Sequence, residues 1–332
     1  MSELKFDFGP GFRLSSERAA EELQERIESR HKPLRFGVPY LDDALYGIAS
    51  NDLILIGAET GTGKTDFATN VALTNSTAGA RVHYFALEAE DKEIERRIIY
   101  SLATREMRKQ GKPTVRFAEW RMSCDTPLEP FVAEATAVFV RECKSLSTYY
   151  RAYKFGTDDL QKMVTSINND TDLIIIDHLN YIDIEDTNEY RGVRDLVKAL
   201  RDMALGIGTP VLLVSHLRKR DRHSKSIGPS IDDFFGSSET AKMSTRAILL
   251  SPARCMRSDN LDVANTFIQV VKDRYEGARP YFALASYGLR SRRYGSKYTL
   301  GYENDGEWEE IPHAAPSWAA SHVAYSPGAL ER

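Results

Sequence analysis

The sequence predicts an α/β protein with a mostly parallel, twisted sheet flanked by helices and antiparallel strands added at its C-terminal edge. Three observations carry this. Short apolar runs rich in β-branched residues recur at Leu53–Ile56, Val82–Leu87, Leu173–Ile176, Val211–Val214 and Ala247–Leu250, and strands apolar on both faces are those sandwiched between helical layers. Segments of helical period separate them, near 64–77, 90–110, 128–146, 157–169 and 189–206, as expected of parallel strands joined by crossover helices. After residue 263 strand follows strand, at 265–272, 279–286 and 293–301, which neighbouring antiparallel strands produce.

The flanks read differently. Residues 1–13 mix Gly and Pro with scattered aromatics and predict a mobile or docking arm. Ser15 to Arg30 predicts a helix capped by Ser15 or Ser16, with acids in its first turn. Its apolar stripe of Ala19, Ala20, Leu23 and Ile27 is narrow, so it needs a partner surface, either the main domain or a neighbouring subunit. From Pro312 the Ala, Ser and Pro content predicts a disordered tail. The expected organisation is an arm with a linker-like helix over 1–33, one large domain over 34–311 and a tail over 312–332.

Composition narrows the classes of function. A 42% hydrophobic share supports a real core, and a net charge of −4 with a pI near 6.0 excludes a polycation that coats nucleic acid over its whole surface. A local basic stripe, or one assembled by several subunits, remains open. Cys124, Cys143 and Cys255 are odd in number and lack metal-ligand spacing, which argues against a disulfide framework or zinc site. The N-terminal MSELKFDFGPGF has acids where a signal peptide needs bases, and no apolar run is long enough to span a bilayer. The expectation is a cytoplasmic protein, of a bacterial cell or a phage-infected host, without a membrane partner.

The most specific chemistry lies in NDLILIGAETGTGKTDFATNVAL, where strand Leu53–Ile56 runs through Gly57 into a loop and then a helix. The loop comprises Ala58, Glu59, Thr60, Gly61, Thr62, Gly63, Lys64 and Thr65, with Asp66 in the first helical turn. Successive backbone N–H groups of such a loop surround β- and γ-phosphates, and the helix N-terminus adds partial positive charge. Gly61 and Gly63 permit close backbone approach, Lys64 would neutralise phosphate oxygens, and the Thr65 hydroxyl would ligate Mg²⁺. ATP and Mg²⁺ are therefore the expected cofactors. Ala58 occupies the first glycine position of the strict pattern, a minor departure.

Two strand-terminal acids complete the set. Asp177 ends the run Leu173–Ile176, where phosphoryl-transfer enzymes of this type place the carboxylate that holds the Mg²⁺ shell. Glu88 ends His83–Leu87 and is placed to act as general base toward water. His216 follows Val211–Ser215, where a side chain can touch the γ-phosphate and report its loss. Downstream, Arg218, Lys219, Arg220 and Arg222 form either a track for nucleic-acid phosphates or a solvated loop. Phe234 and Phe235, followed by Gly236, offer either base stacking or ordinary packing. A second basic cluster, Arg290, Arg292, Arg293 and Lys297, reads as surface charge.

With these residues in hand, residues 34–310 resemble the C-terminal, RecA-like ATPase domain of DnaB-family replicative helicases. The resemblance rests on ordered motifs: Phe36 to Leu45 ahead of the phosphate loop, Phe85-Ala86-Leu87-Glu88, Ile176-Asp177-His178-Leu179-Asn180-Tyr181-Ile182, Val214-Ser215-His216-Leu217, Gly236-Ser237-Ser238-Glu239, and Lys272-Asp273-Arg274-Tyr275-Glu276-Gly277. The resemblance implies a ring-forming ATPase that moves on single-stranded DNA in replication, with Lys272 and Arg274 reaching the γ-phosphate of an adjacent subunit. It implies a homo-oligomer, a hexameric ring, and a helicase loader or primase as further partners. His178 and His216 stand where the family usually has Tyr and Gln, and Phe234 and Phe235 stand where an Arg-containing DNA-contacting segment is expected. The family's large N-terminal helical domain has no counterpart in the sequence as it stands. Two other functions share this core: a RecA/RadA-like recombinase, and a KaiC-like or loader-type regulatory ATPase that acts on a protein partner.

Overall fold

The structure, a computed structural model, describes residues 14–28, 33–59, 61–151, 153–167, 170–184, 189–218, 226–234, 238–256, 258, 260–311 and 315–324. Its centre is a sheet in the order β10-β9-β8-β7-β6-β1-β5-β4-β2-β3. The parallel half holds β1 (Leu53–Ala58), β2 (Val82–Ala86), β3 (Leu146–Tyr150), β4 (Leu173–Asp177), β5 (Val211–His216) and β6 (Arg246–Pro252). The antiparallel half holds β7 (Val263–Asp273), β8 (Phe282–Gly288), β9 (Arg293–Asn304) and β10 (Glu307–Glu310). This is the RecA-like α/β arrangement that the sequence predicts.

Side chains alternate along each strand, so the continuous apolar runs feed two separate cores. Ile54 and Ile56 of β1, with Leu212 and Val214 of β5, pack beneath α3 (Lys64–Thr77) and α4 (Glu93–Lys109). Leu53, Leu55, Val211 and Leu213 face the opposite layer, which includes α8 (Glu189–Ile207) and α9 (Ser238–Met243). The remaining helices are α1 (Ser15–Glu28), α2 (Pro39–Leu45), α5 (Phe117–Met122), α6 (Glu129–Glu142) and α7 (Thr157–Ser166).

Two expectations need correction. The helical segment drawn over 128–146 stops at Glu142, and Leu146–Tyr150 forms the edge strand β3 beside β2. LSTYY is only half-buried, so it lacks the apolar signature of the inner strands. The tail expected to be disordered from residue 312 is packed over 315–324. The indole of Trp318 stacks on Tyr281 at 5.9 Å and meets Tyr40 at 6.4 Å, while His322 Nδ1 accepts from the Leu300 N–H at 3.1 Å. One aromatic in a polar stretch outweighs composition here.

At the other end, α1 exposes Leu14, Leu23 and Ile27. The narrow stripe finds no cover among the described residues of its own chain. No helix of the described residues is long and apolar enough to cross a membrane.

Candidate active site

Every residue that carries the predicted chemistry stands at the carboxyl end of a parallel strand, where ligands of open α/β sheets bind. The phosphate loop follows β1, Glu88 follows β2, Asp177 closes β4 and His216 closes β5. Gly61 and Gly63 have φ of +81° and +83°, a region that disfavours side chains, so glycine is required there by backbone geometry. The Thr62 hydroxyl donates to the Glu59 carbonyl at 2.8 Å, and the first helical bond of α3 runs from the Phe67 N–H to the Gly63 carbonyl. The N–H groups of Lys64, Thr65 and Asp66 therefore lie in the turn that has no intrahelical acceptors. Thr60 lies outside the described residues. Ala58 is buried, and its carbonyl faces Lys64 Nζ at 3.5 Å.

Lys64 is folded back over the loop, its ammonium 3.0 Å from His216 Nδ1. Burial pulls its pKa below the ordinary lysine range, opposed by the charges of Glu88 and Asp177. Asp177 is buried, accepts from the Tyr84 hydroxyl at 2.8 Å through Oδ2, and has no hydrogen-bond partner at Oδ1. Burial raises its pKa to about 6, with hydrogen bonds from Tyr84 and Thr65 acting the other way. An orphaned carboxylate oxygen beside a threonine hydroxyl is an oxygen donor set suited to a hard cation, so these residues fit Mg²⁺.

His178, absent from the residues singled out for chemistry, sits between the others. Its Nε2 lies 2.8 Å from Glu88 Oε2 and 2.9 Å from His216 Nε2. The Asn180 N–H donates to its Nδ1 at 3.3 Å, so the proton of the neutral ring belongs on Nε2. Burial, together with His216 and Lys64, pushes the His178 pKa down to about 3, and burial also lowers His216. Both rings are neutral at pH 7. Glu88, His178 and His216 bring ligand atoms within 4.8 Å of one another, a span that a metal ion bridges. Yet both Nδ1 atoms face donors, Asn180 N–H and the Lys64 ammonium, which directs the protons to the Nε2 atoms. The cluster is therefore a hydrogen-bonded chain rather than a metal centre.

Asp66 departs from expectation. Its side chain is buried and engaged by Arg97 at 2.7 Å, Arg292 at 2.7 Å and the Tyr287 hydroxyl at 2.5 Å, so only its backbone N–H is left for a phosphate. Arg292, which reads as surface charge in the sequence, is thus a strut under the first turn of α3. Glu59 is paired at 2.5 Å with Arg254, beyond the end of β6.

Lys272 and Arg274 do not join this group. Arg274 donates its N–H to the Thr245 carbonyl at 2.9 Å, and Thr245 in turn bonds Leu53, the first residue of β1. The register Ile54↔Arg246 and Arg246↔Asp273 puts the pair at the amino end of the parallel strands. β1 has six residues, so about 20 Å of sheet separates them from the phosphate loop. Lys272 Nζ donates to the carbonyls of Ala241 and Lys242 at the end of α9, and Arg274 is exposed. Their base is a buried charge cluster that sequence reasoning missed: Arg246 pairs with Asp52 at 3.2 Å and with Asp273 at 3.3 Å.

Among the nucleic-acid candidates, Arg218 is exposed and its N–H donates to the Asp233 carbonyl at 2.7 Å. Phe234 is fully buried, paired with Leu217 in an isolated antiparallel bridge. Of the two readings for this phenylalanine, packing is the one observed. A Cβ on Gly57 would fall 2.5 Å from the Phe234 ring and 2.6 Å from Leu217. Phe234 thus closes over β1 and cannot stack on a base. Lys219, Arg220, Arg222, Phe235 and Gly236 lie outside the described residues.

Comparisons with known proteins agree with this layout. The family model described as "DnaB-like helicase C terminal domain" matches residues 34–280. No curated protein matches the chain. One solved structure, of an isolated ATPase domain, superposes with a TM-score of 0.67 at 17% identity, covering 86% of this chain and 99% of that one. A second, of a "DnaB-Like Replicative Helicase" and its interactions with primase, gives 0.65 at 16% identity, covering 88% of this chain and 67% of that one. These structures share the fold. With the family match spanning most of its length, the chain belongs to the DnaB-like helicase C-terminal domain family.

Proposed function

We propose that the protein is an ATP-hydrolysing translocase on single-stranded DNA, of the replicative-helicase kind, whose active sites are completed between subunits of a ring. The observation that carries this reading is the separation of Lys272 and Arg274 from the phosphate loop by the length of β1. A rigid sheet keeps them from their own site, so their chemistry needs a second copy.

In this reading the loop N–H groups and Lys64 bind the β- and γ-phosphates. Thr65 and Asp177 hold Mg²⁺, which neutralises phosphate charge when bound. Glu88 accepts the proton of the attacking water, and His178 orients that carboxylate through its Nε2–H. Lys64 on His216 Nδ1 leaves N–H groups of both imidazoles directed at each other. Transfer of the Lys64 ammonium to a phosphate relieves that conflict. His216 can then carry its proton on Nδ1, toward the γ-phosphate, and accept from His178 on Nε2. Arg218 lies two residues beyond His216, so a change at His216 passes directly to the segment expected to meet the strand. An arginine supplied by a neighbour is worth about 10³–10⁵ in rate in related phosphoryl transfer.

The test is subunit mixing. Lys64→Ala and Arg274→Ala should each abolish ATP hydrolysis stimulated by single-stranded DNA. An equal mixture should regain it, because about one quarter of randomly formed interfaces pair an intact loop with an intact arginine. Full activity in Arg274→Ala alone, or no recovery on mixing of assembled subunits, would sink the shared-site reading.

A further inference from the structure

The turn between β8 and β9 and the C-terminal part of α4 enclose a cavity of about 630 Å³ that plays no part in the site above. Its walls are basic on both sides. Arg105, Arg108 and Lys112 come from the end of α4 and the residues after it, and Arg290 and Arg293 come from the opposite turn. The one carboxylate among the lining residues, Asp262, is taken by Arg290 at 2.7 Å. Cations in the last turn of a helix complement its dipole, which accounts for Arg105 and Arg108 but not for what faces them.

Arg293 is the informative residue. It is half-buried, its Nε donates to the Ser101 hydroxyl at 2.8 Å, and among the described residues no carboxylate lies within ion-pairing distance. Burial and the neighbouring Arg105 together lower its pKa to about 10, so two guanidinium groups crowd one wall without a counter-charge. A partly buried, unpaired arginine beside a like charge is costly unless an anion joins it. Guanidinium groups match phosphate oxygens in geometry, and the volume suits a ligand of nucleotide size.

We propose that this cavity is a second binding site, for a small ligand with clustered phosphates such as a polyphosphate chain, free or carried by a nucleotide. The cations converge on one cavity from two walls instead of lining an extended groove, which favours a compact polyanion over a strand. The site is wired to the first one. The Ser101 hydroxyl also donates to the Ser291 carbonyl, and Arg292, next to Arg293, braces Asp66 under the phosphate loop.

Binding of inorganic tripolyphosphate and of ATP would be measured calorimetrically on the full chain carrying Lys64→Ala, which disables the phosphate loop. About one equivalent of tripolyphosphate should bind, and adding Arg105→Ala with Arg108→Ala, both exposed, should weaken it at least tenfold. Adding Arg293→Ala separately should weaken it likewise. Equal affinity for both probes would identify the phosphate chain as the ligand, and tighter ATP binding would identify a nucleotide. Binding that ignores the added substitutions, or no binding, overturns the proposal. So does a thymidine decamer that binds there while tripolyphosphate does not, which would make the cavity a nucleic-acid contact.

Discussion

Phe234 shows how one residue can decide between two functions. Its ring is buried against Gly57, Leu217 and Leu249, so its contribution is to packing. Phe234→Ala should destabilise the nucleotide-free, DNA-free protein by about 3–5 kcal/mol, the usual cost of emptying an aromatic site. Phe234→Leu should cost much less, and a urea midpoint series would show both. An unchanged midpoint with lost DNA stimulation would restore the stacking role. The phosphate loop was legible from sequence because its chemistry is local: glycines at positive φ, a lysine and a hydroxyl must follow one another. His178 was not. Its role depends on Glu88, Asn180 and His216 meeting across β2, β4 and β5, and nothing local announces that meeting.

At the scale of elements, the strand pattern was read well where strands are buried on both faces and poorly where they are not. β1, β4 and β5 announce themselves as unbroken aliphatic runs, whereas β3 at the edge does not. Buried charge is harder still to read. Asp52, Arg246 and Asp273 look like ordinary polar residues in sequence, yet the pairing of β1 with β6 and of β6 with β7 encloses them as one cluster. That cluster fixes the start of the segment bearing Arg274. Arg246→Ala would leave two buried carboxylates without their cation, a change that typically costs about 3–5 kcal/mol. Thermal unfolding should register the loss. The surviving folded fraction should show reduced hydrolysis with nucleotide binding at Lys64 retained, which separates damage at the Arg274 end from damage at the loop. Equal loss of both would mean that the cluster supports the whole sheet alike.

The molecule as a whole has two chemically distinct poles. The carboxyl pole carries the loop, Glu88, Asp177, His178 and His216, and the amino pole carries Lys272 and Arg274. Helix α1, with Leu14, Leu23 and Ile27 exposed, adds a further surface that a neighbour would cover in the proposed ring. Turnover per chain should therefore fall steeply on dilution as the assembly dissociates, while nucleotide binding at the loop persists. Turnover that stays constant from micromolar to nanomolar protein, with sedimentation showing monomers, would mean that one chain suffices.

The sheet between those poles is also a lever. Its strands are locked by pairing on both sides, so a tilt at one end must appear at the other: over about 20 Å, a rotation of about 10° moves the far pole by about 3.5 Å. In the proposed ring each subunit is at once the socket for one neighbour and the plug for the next. A tilt that seats its plug shifts its own socket by a comparable amount, so neighbouring sites cannot all fire in the same phase. Order around the ring then follows from the stiffness of one sheet, and no separate messenger is needed to pass the turn from subunit to subunit.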